Sequence, residues 1–323
     1  MPNTTKPLNT LTNNDVIQTL NKEYPELREY SLIVHKQFVS ITGRTYNTFL
    51  VEALDSPYGV FVAKSYCFDN QNLEDEVHVM NFLRNTDIFI PKILFQYKTG
   101  NMFLVIDFID GTNAAELMHN QSDVNNVYRS IGNSLRRLYS VHVPYFHRFW
   151  ENDRTVWNEH IQNKFEERLT RKIDPKYVDH IRKIYQKGLP AINEDAKAGP
   201  VLIHRDIYSD NFIIEKNTGK AILIDFAMAR GGRPFYDLAK FYISNLVKHP
   251  HCQDTFLKHL GVIDRSESAY TMLRAYIVIE LLGMINFYDS IGEKEQLDHT
   301  RQCLRELATE RGDFHDLVVH FRI

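Results

Sequence analysis

The sequence has little cysteine, no glycine-rich phosphate loop, no large excess of either charge and no long apolar run. Each shortage removes a class of protein. Cys67, Cys252 and Cys303 are odd in number and far apart, with no Cys-x-x-Cys pair among the 323 residues. That excludes a disulfide framework and a thiolate zinc site, and points to a reducing, cytoplasmic setting. A net charge of -3 and a pI of about 6.5 leave no basic excess for a general nucleic-acid binder, so no nucleic-acid partner is expected. Residues 1–14 are polar and lack the apolar segment of a secretory signal. No uninterrupted apolar run approaches the roughly 18 residues of a membrane span, so no membrane partner is expected either. The longest apolar patch, Tyr276 to Phe287, is broken by Glu280 and Asn286 and reads as a buried helix. Internal repeats and low-complexity tracts are also missing.

What remains is an ordinary globular composition, 43% hydrophobic and 24% charged, on a chain long enough for two lobes. Asn13 to Tyr24 has the pattern of an amphipathic helix, with Asn13 or Asn14 as cap and Pro25 beyond its end. Strand-like runs follow at Ser31 to Ile41, Tyr46 to Leu54 and Gly59 to Tyr66, the last two joined by a turn-rich segment around Asp55-Ser56-Pro57. The spacing of Leu73, Val77, Met80 and Leu83 predicts a helix over 72–84. Two further strands are predicted at Lys92 to Tyr97 and Met102 to Phe108, giving five short strands that should pair antiparallel. After Gly111 the pattern turns helical, over 123–141, 157–171 and 177–187, and again from Tyr236 onward. Two short strands, Val201 to His204 and Ala221 to Asp225, interrupt it. The expected division is a first domain over 1–108 and a second over 109–323.

The chemistry-bearing stretch is Val201 to Ala239. An apolar strand delivers His204-Arg205-Asp206, Asn211 follows, and a second apolar strand ends at Asp225. Phosphoryl transfer to a hydroxyl asks for these groups. A carboxylate orients the hydroxyl and takes its proton, and oxygen ligands hold Mg²⁺ on the triphosphate. Asp206 has the place of the base, and Asn211 and Asp225 those of metal ligands. The hairpin between the strands should bring all three to one end. His204 reads as a buried prop for the loop.

The segment resembles the catalytic core of the aminoglycoside phosphotransferase and choline kinase superfamily, small-molecule relatives of the protein kinases. Gly232-Arg233-Pro234-Phe235-Tyr236-Asp237-Leu238-Ala239 is similar to that family's run after its metal aspartate, and Ile131 to His142 to its long helix ending in Leu-His. The resemblance spans roughly residues 30 to 290. It implies an α+β, bilobal protein-kinase-like fold, with a small antiparallel-sheet lobe and a mainly helical lobe, and Mg²⁺ with ATP or GTP as cofactor and co-substrate. It implies that Ser40, Thr42, Gly43, Thr45 and Asn47 cover the triphosphate, that Lys64 contacts its phosphates, and that Glu76 pairs with Lys64, with Glu74 and Asp75 as competitors. Ile106 and Phe108 would lie at the nucleobase hinge, and Asp237 would brace the catalytic loop. Family members often meet a cationic acceptor with acidic residues in the C-terminal helices, which makes Glu280 the candidate here, although its burial within Ile277 to Leu282 demands a partner.

The sequence departs from the family in places. His-Arg-Asp stands for the commoner His-Gly-Asp, and Asp225-Phe226-Ala227 lacks the usual tryptophan. The segment from Ala227 to Pro234 is too short for an activation loop, which favours a small-molecule hydroxyl acceptor. The arginine keeps a protein serine/threonine kinase as the alternative, and a catalytically inactive nucleotide-binding module is the third reading.

Overall fold

The computed structural model describes residues 11–39, 46–66, 70–120, 123–151, 154–169, 173–261 and 266–311. The chain forms two compact units. One comprises Met1–Gly111 with Ile222–Met228, the other Thr112–Ala221 with Ala229–Ile323. The short segment around Asp225, expected with the helical part, is therefore grouped with the first unit.

In the first unit, helix α1 (Asn13–Glu23) is capped by Thr12, not by Asn13 or Asn14. The Thr12 hydroxyl accepts the Asp15 N–H at 3.2 Å, and the Asp15 carboxylate accepts the Thr12 N–H at 2.8 Å, a reciprocal box that leaves neither donor orphaned. Strands β1 (Leu32–Val39), β2 (Tyr46–Ala53), β3 (Val60–Tyr66) and β4 (Phe103–Asp107) form one antiparallel sheet in that order, with α2 (Asn70–Leu83) between β3 and β4 in sequence. The expected strand at 92–97 is reduced to a single bridge, Ile93 to Ile106. Pro91 at its start has no N–H with which to extend the ladder.

Side chains alternate across a strand, so one face of this sheet collects Phe49, Val51, Phe61, Ala63, Phe103 and Val105. These pack with Val16, Leu20 and Tyr24 of α1 into one core. The same alternation turns Lys64 to the opposite face, that of α2, where Leu73 and Met80 are buried.

Strand β5 (Gly111–Asn113) spans the division, and the second unit continues with α3 (Ala114–His119), α4 (Val124–Tyr139), α5 (Trp157–Arg168) and α6 (Pro175–Ala196). Strands β6 (Val201–Ile203) and β7 (Phe212–Glu215) follow, and β8 (Ala221–Leu223) leads back into the first unit. Strand β9 (Arg230–Gly232) and helices α7 (Pro234–Ser244), α8 (Gln253–Leu260), α9 (Glu267–Ile291) and α10 (Lys294–Thr309) complete it. Helix α6 runs on through Gly188 and Pro190, where the sequence suggested an end at Lys187. Close packing explains it. A Cβ on Gly188 would lie 2.5 Å from both the Thr271 carbonyl oxygen and Ala275 Cβ, so glycine is what lets α6 seat on α9.

Helix α9 is the one helix among the described residues long and apolar enough to cross a membrane, with a mean hydropathy of 1.3 over its most apolar window. Of that window, 78% is buried inside the protein. Arg274 and Glu280 interrupt it in sequence, and both are buried. Trp157 Nε1 donates to the Tyr276 hydroxyl at 2.9 Å and ties α5 to the middle of this helix.

Candidate active site

The first group of expected site residues lies within the first unit. Lys64 is 5% exposed and Glu76 1%. The Lys64 ammonium donates to both Glu76 oxygens, at 2.9 and 3.1 Å, and to Asp225 Oδ1 at 2.7 Å. Glu76 Oε1 also accepts the Phe226 N–H at 3.1 Å, which anchors the residue after Asp225. Strand parity and helix phase thus decide among the three acidic candidates on α2. Asp75, though buried, is bonded by the Gln71 side chain at 3.1 Å, and Glu76 takes Lys64. Burial pushes the Glu76 carboxyl above its ordinary value, against the pull of the Lys64 ammonium.

The second group lies within the second unit, at the end of β6. Strand β9 pairs antiparallel with β6 (Val201 to Gly232, Ile203 to Arg230), which carries α7 back beside the loop after Ile203. Asp237, in the first turn of α7 and fully buried, accepts the N–H groups of His204 at 2.7 Å and Arg205 at 2.8 Å. It fixes the backbone that presents Asp206. Burial pushes the Asp237 carboxyl up to about 6, while the two N–H donors oppose the rise.

Asp206 itself has a side chain 35% exposed. Its Oδ1 accepts from the Lys240 ammonium at 2.8 Å, and the Asn211 amide nitrogen donates to its backbone oxygen at 2.6 Å and to Oδ2 at 3.3 Å. Lys240 was missed in the sequence. The signal available was its spacing, four residues after Tyr236 on α7, which puts both on one helix face. Burial works against the Lys240 charge, but Tyr208, Asp206 and Glu280 outweigh it and hold the ammonium above its ordinary value.

The backbone in both aspartate motifs is unusual. Arg205 has φ 65° and Asp225 φ 66°, in the left-handed region. A non-glycine residue there costs about 1–2 kcal/mol, and arginine stands where the resemblance leads one to expect glycine. Such strain gathers at functional sites.

The remaining expected residues are more scattered. Ser40, Thr42, Gly43 and Thr45 lie outside the described residues. Asn47, on β2, accepts the Gln37 side-chain amide through Oδ1 at 3.0 Å. Ile106 is buried on β4, and Phe108, just past its end, is 39% exposed. The Asp107 carboxylate accepts the Lys92 N–H. His204 is fully buried.

Glu280 has the partner its burial demands, and that partner is a protein side chain. Arg168 Nη1 donates to Glu280 Oε1 at 2.9 Å and to the Ile279 carbonyl at 2.9 Å. A Cβ on Gly283 would lie 2.6 Å from the Arg168 guanidinium carbon, so the missing side chain makes the room this pair occupies. Burial alone would raise the Glu280 carboxyl; Arg168, Lys240 and Lys164 outweigh it and bring it down to about 2.

A folded-state value below the unfolded one contributes stability above pH 4.5 that is lost as pH falls toward about 2. Glu280→Gln is therefore expected to lower stability at neutral pH by about 3 kcal/mol, the scale for breaking a buried ion pair. The gap between variant and parent should narrow as pH drops below 4.5. Urea unfolding across that range measures it, and a gap independent of pH would show that Glu280 is not ionised in the fold.

The family model described as the phosphotransferase enzyme family matches residues 40–276. No curated protein sequence matches significantly. Among solved structures, a thermostable mutant of an aminoglycoside phosphotransferase, in ternary complex with AMP-PNP and hygromycin B, superposes with a TM-score of 0.66 at 14% identity, covering 95% of this chain and 98% of that one. The GDP and kanamycin complex of another aminoglycoside phosphotransferase gives 0.61 at 14%, over 90% and 97%. A macrolide 2'-phosphotransferase type I gives 0.60 at 16%, over 91% and 97%. At these identities the likeness establishes the fold, and it is the kinase-like fold that the motif around Asp206 led one to expect.

Proposed function

Because the chain belongs to the phosphotransferase enzyme family, we propose that it moves the γ-phosphate of ATP or GTP onto a hydroxyl of a small molecule. The observation that carries this reading is Asp206, a part-exposed carboxylate fixed by Lys240 and Asn211 on a loop that Asp237 braces. The acceptor hydroxyl would donate to Asp206. As its oxygen bonds to the γ-phosphorus, the bond from that phosphorus to the β–γ bridging oxygen breaks, and the hydroxyl proton passes to Asp206. Lys64, aligned by Glu76, would take the α- and β-phosphates. Positioning and charge neutralisation would supply most of the rate.

Mg²⁺ would be held by Asn211 and Asp225. The donor set fits a hard cation, an amide oxygen and a carboxylate with no thiolate or imidazole. Among the described residues no group of three or more His, Cys, Asp or Glu forms a self-sufficient metal site. Mg²⁺ takes one or two protein oxygens and fills its shell with phosphate and water. When bound it would neutralise charge on the triphosphate.

Two observations support a small acceptor over a protein. β9 and α7 begin at Arg230 and Pro234, so the chain after Asp225 has no length for an activation segment. The structural neighbours include complexes with hygromycin B and kanamycin. The test is nucleotide consumption, with ATP and with GTP, across amino alcohols, sugars, aminoglycosides and macrolides, beside generic protein substrates. Turnover with small molecules only is expected. Absence of Mg-nucleotide binding in calorimetry, or transfer to protein serine or threonine alone, would overturn the proposal.

A further inference from the structure

The groups around Asp206 carry a charge pattern that the phosphotransfer reading does not use. Helix α5 presents His160, Lys164 and Arg168 at intervals of four, on one face. Helix α7 presents Tyr236 and Lys240 at the same interval. All five lie in the second unit with Asp206 and Arg205.

Two of the four cations are balanced. Arg168 is paired with Glu280 at 2.9 Å, and Lys240 with Asp206 at 2.8 Å. The other two are not. Among the described residues neither the Lys164 ammonium nor the Arg205 guanidinium has an ion pair. Lys164 lies over the Tyr236 ring at 5.1 Å. Arg205 is partly exposed and adjoins Asp206 in sequence. The nearby carboxylates are already committed: Glu280 to Arg168, Asp237 to two backbone N–H groups, and Asp206 to Lys240.

The field is felt by the neighbours. Burial, then Arg205 and Arg168, push the Lys164 ammonium down to about 6. Burial, then Lys164 and Arg205, push the His160 imidazole down to about 3. A half-buried amine with no direct ion pair loses its proton easily, and an anion beside it would hold that proton on. An arginine in left-handed backbone is costly, where glycine would sit without strain. Both features are explained if an anion completes the site. The guanidinium supplies a planar two-pronged donor suited to an oxyanion, and the ammonium a point charge beside it.

We propose that Arg205 and Lys164, flanked by His160, form an oxyanion subsite beside Asp206, and that the acceptor carries a carboxylate or phosphate group near the hydroxyl it presents. The word "acceptor" rests on the phosphotransfer reading; the anion subsite does not. Among the described residues, a polycationic acceptor would meet positive charge here and carboxylates that are already bonded.

The experiment has two arms. In the first, glucuronate, glucose 6-phosphate, glucose and glucosamine, a charge series on one ring, are compared by kcat/KM at saturating Mg-nucleotide. The anionic members should lead by about tenfold, a difference of 1.4 kcal/mol. Arg205→Gly and Lys164→Gln should erase that lead through KM for the anionic acceptors, with KM for nucleotide unmoved. The second arm needs no turnover. Inorganic sulfate is titrated into nucleotide-free protein, wild type and Arg205→Gly/Lys164→Gln, and the double variant should lose one sulfate site. Arg205→Gly relieves a strained backbone position and Lys164→Gln keeps a polar group, so both should fold, which circular dichroism checks. Unchanged sulfate binding in the double variant, or glucosamine as the best of the four acceptors, would overturn the subsite. If none of the four is phosphorylated, the sulfate arm still decides it, and the phosphotransfer reading stands or falls on the nucleotide assays.

Discussion

Asp206→Asn is expected to reduce phosphoryl transfer by about 10²–10⁴-fold, the range for losing a general base, while nucleotide affinity stays near that of the parent. The comparison that gives this force is with Asp206→Ala. Asparagine keeps one oxygen for the Lys240 ammonium, now bonded at 2.8 Å, and loses the one that accepts the Asn211 amide. Alanine removes both acceptors. Lys240, 14% exposed, would be left with the Arg205 carbonyl at 3.1 Å and the Tyr208 ring. The alanine variant should therefore lose the same activity and, in addition, about 1–3 kcal/mol of stability for the stranded charge. Single-turnover transfer, nucleotide calorimetry and urea unfolding on the pair separate the two effects. Parent-like turnover in either variant would remove Asp206 as the base.

Lys64→Met should be the most damaging change in the first unit. One ammonium lies against two carboxylates there, and Glu76 is all but sealed from water. Removing it takes the ammonium from both, at about 3–5 kcal/mol for a broken buried pair. That is a large share of a typical domain's about 5–15 kcal/mol. Part of the loss will be recovered by protonation of Glu76, which burial already favours. Adding Glu76→Gln should restore most of the rest. Glutamine is neutral, and its amide oxygen can still accept the Phe226 N–H that Glu76 takes at 3.1 Å. Nucleotide affinity should remain low in both the single and the double variant. Stability that recovers together with nucleotide affinity would mean that Lys64 acts through the fold and not on phosphate.

Much of this was legible in the chain. The alternation of Phe61, Ala63 and Lys64 fixes which face of a strand each occupies, because successive side chains point to opposite sides. The spacing from His204-Arg205-Asp206 to Asn211 and Asp225 is a local property, carried by a short hairpin, and it suffices to suggest the chemistry. The apolar run around Glu280 announced a buried helix, and it also announced that the glutamate would need a partner.

Other points depended on neighbours distant in sequence. Pairing of Lys64 with Asp225 joins residues 161 positions apart. It gives a physical reason why Ile222–Met228 groups with the first unit although sequence order places it among helices. Thr12 won the cap of α1 over two asparagines because Asp15 reciprocates the bond. Helix α6 continues past a glycine and a proline because α9 packs closely upon it.

By itself, then, the sequence determined the strand and helix faces, the motif and the class of reaction, since these follow from spacing along one chain. Only the tertiary structure decided which charges are spent and which are open. It gave Glu280 to Arg168 and Lys240 to Asp206, and among the described residues gave Arg205 and Lys164 no ion pair. The reason is that charge compensation depends on burial and on distances through space, and neither has a period that a sequence can display.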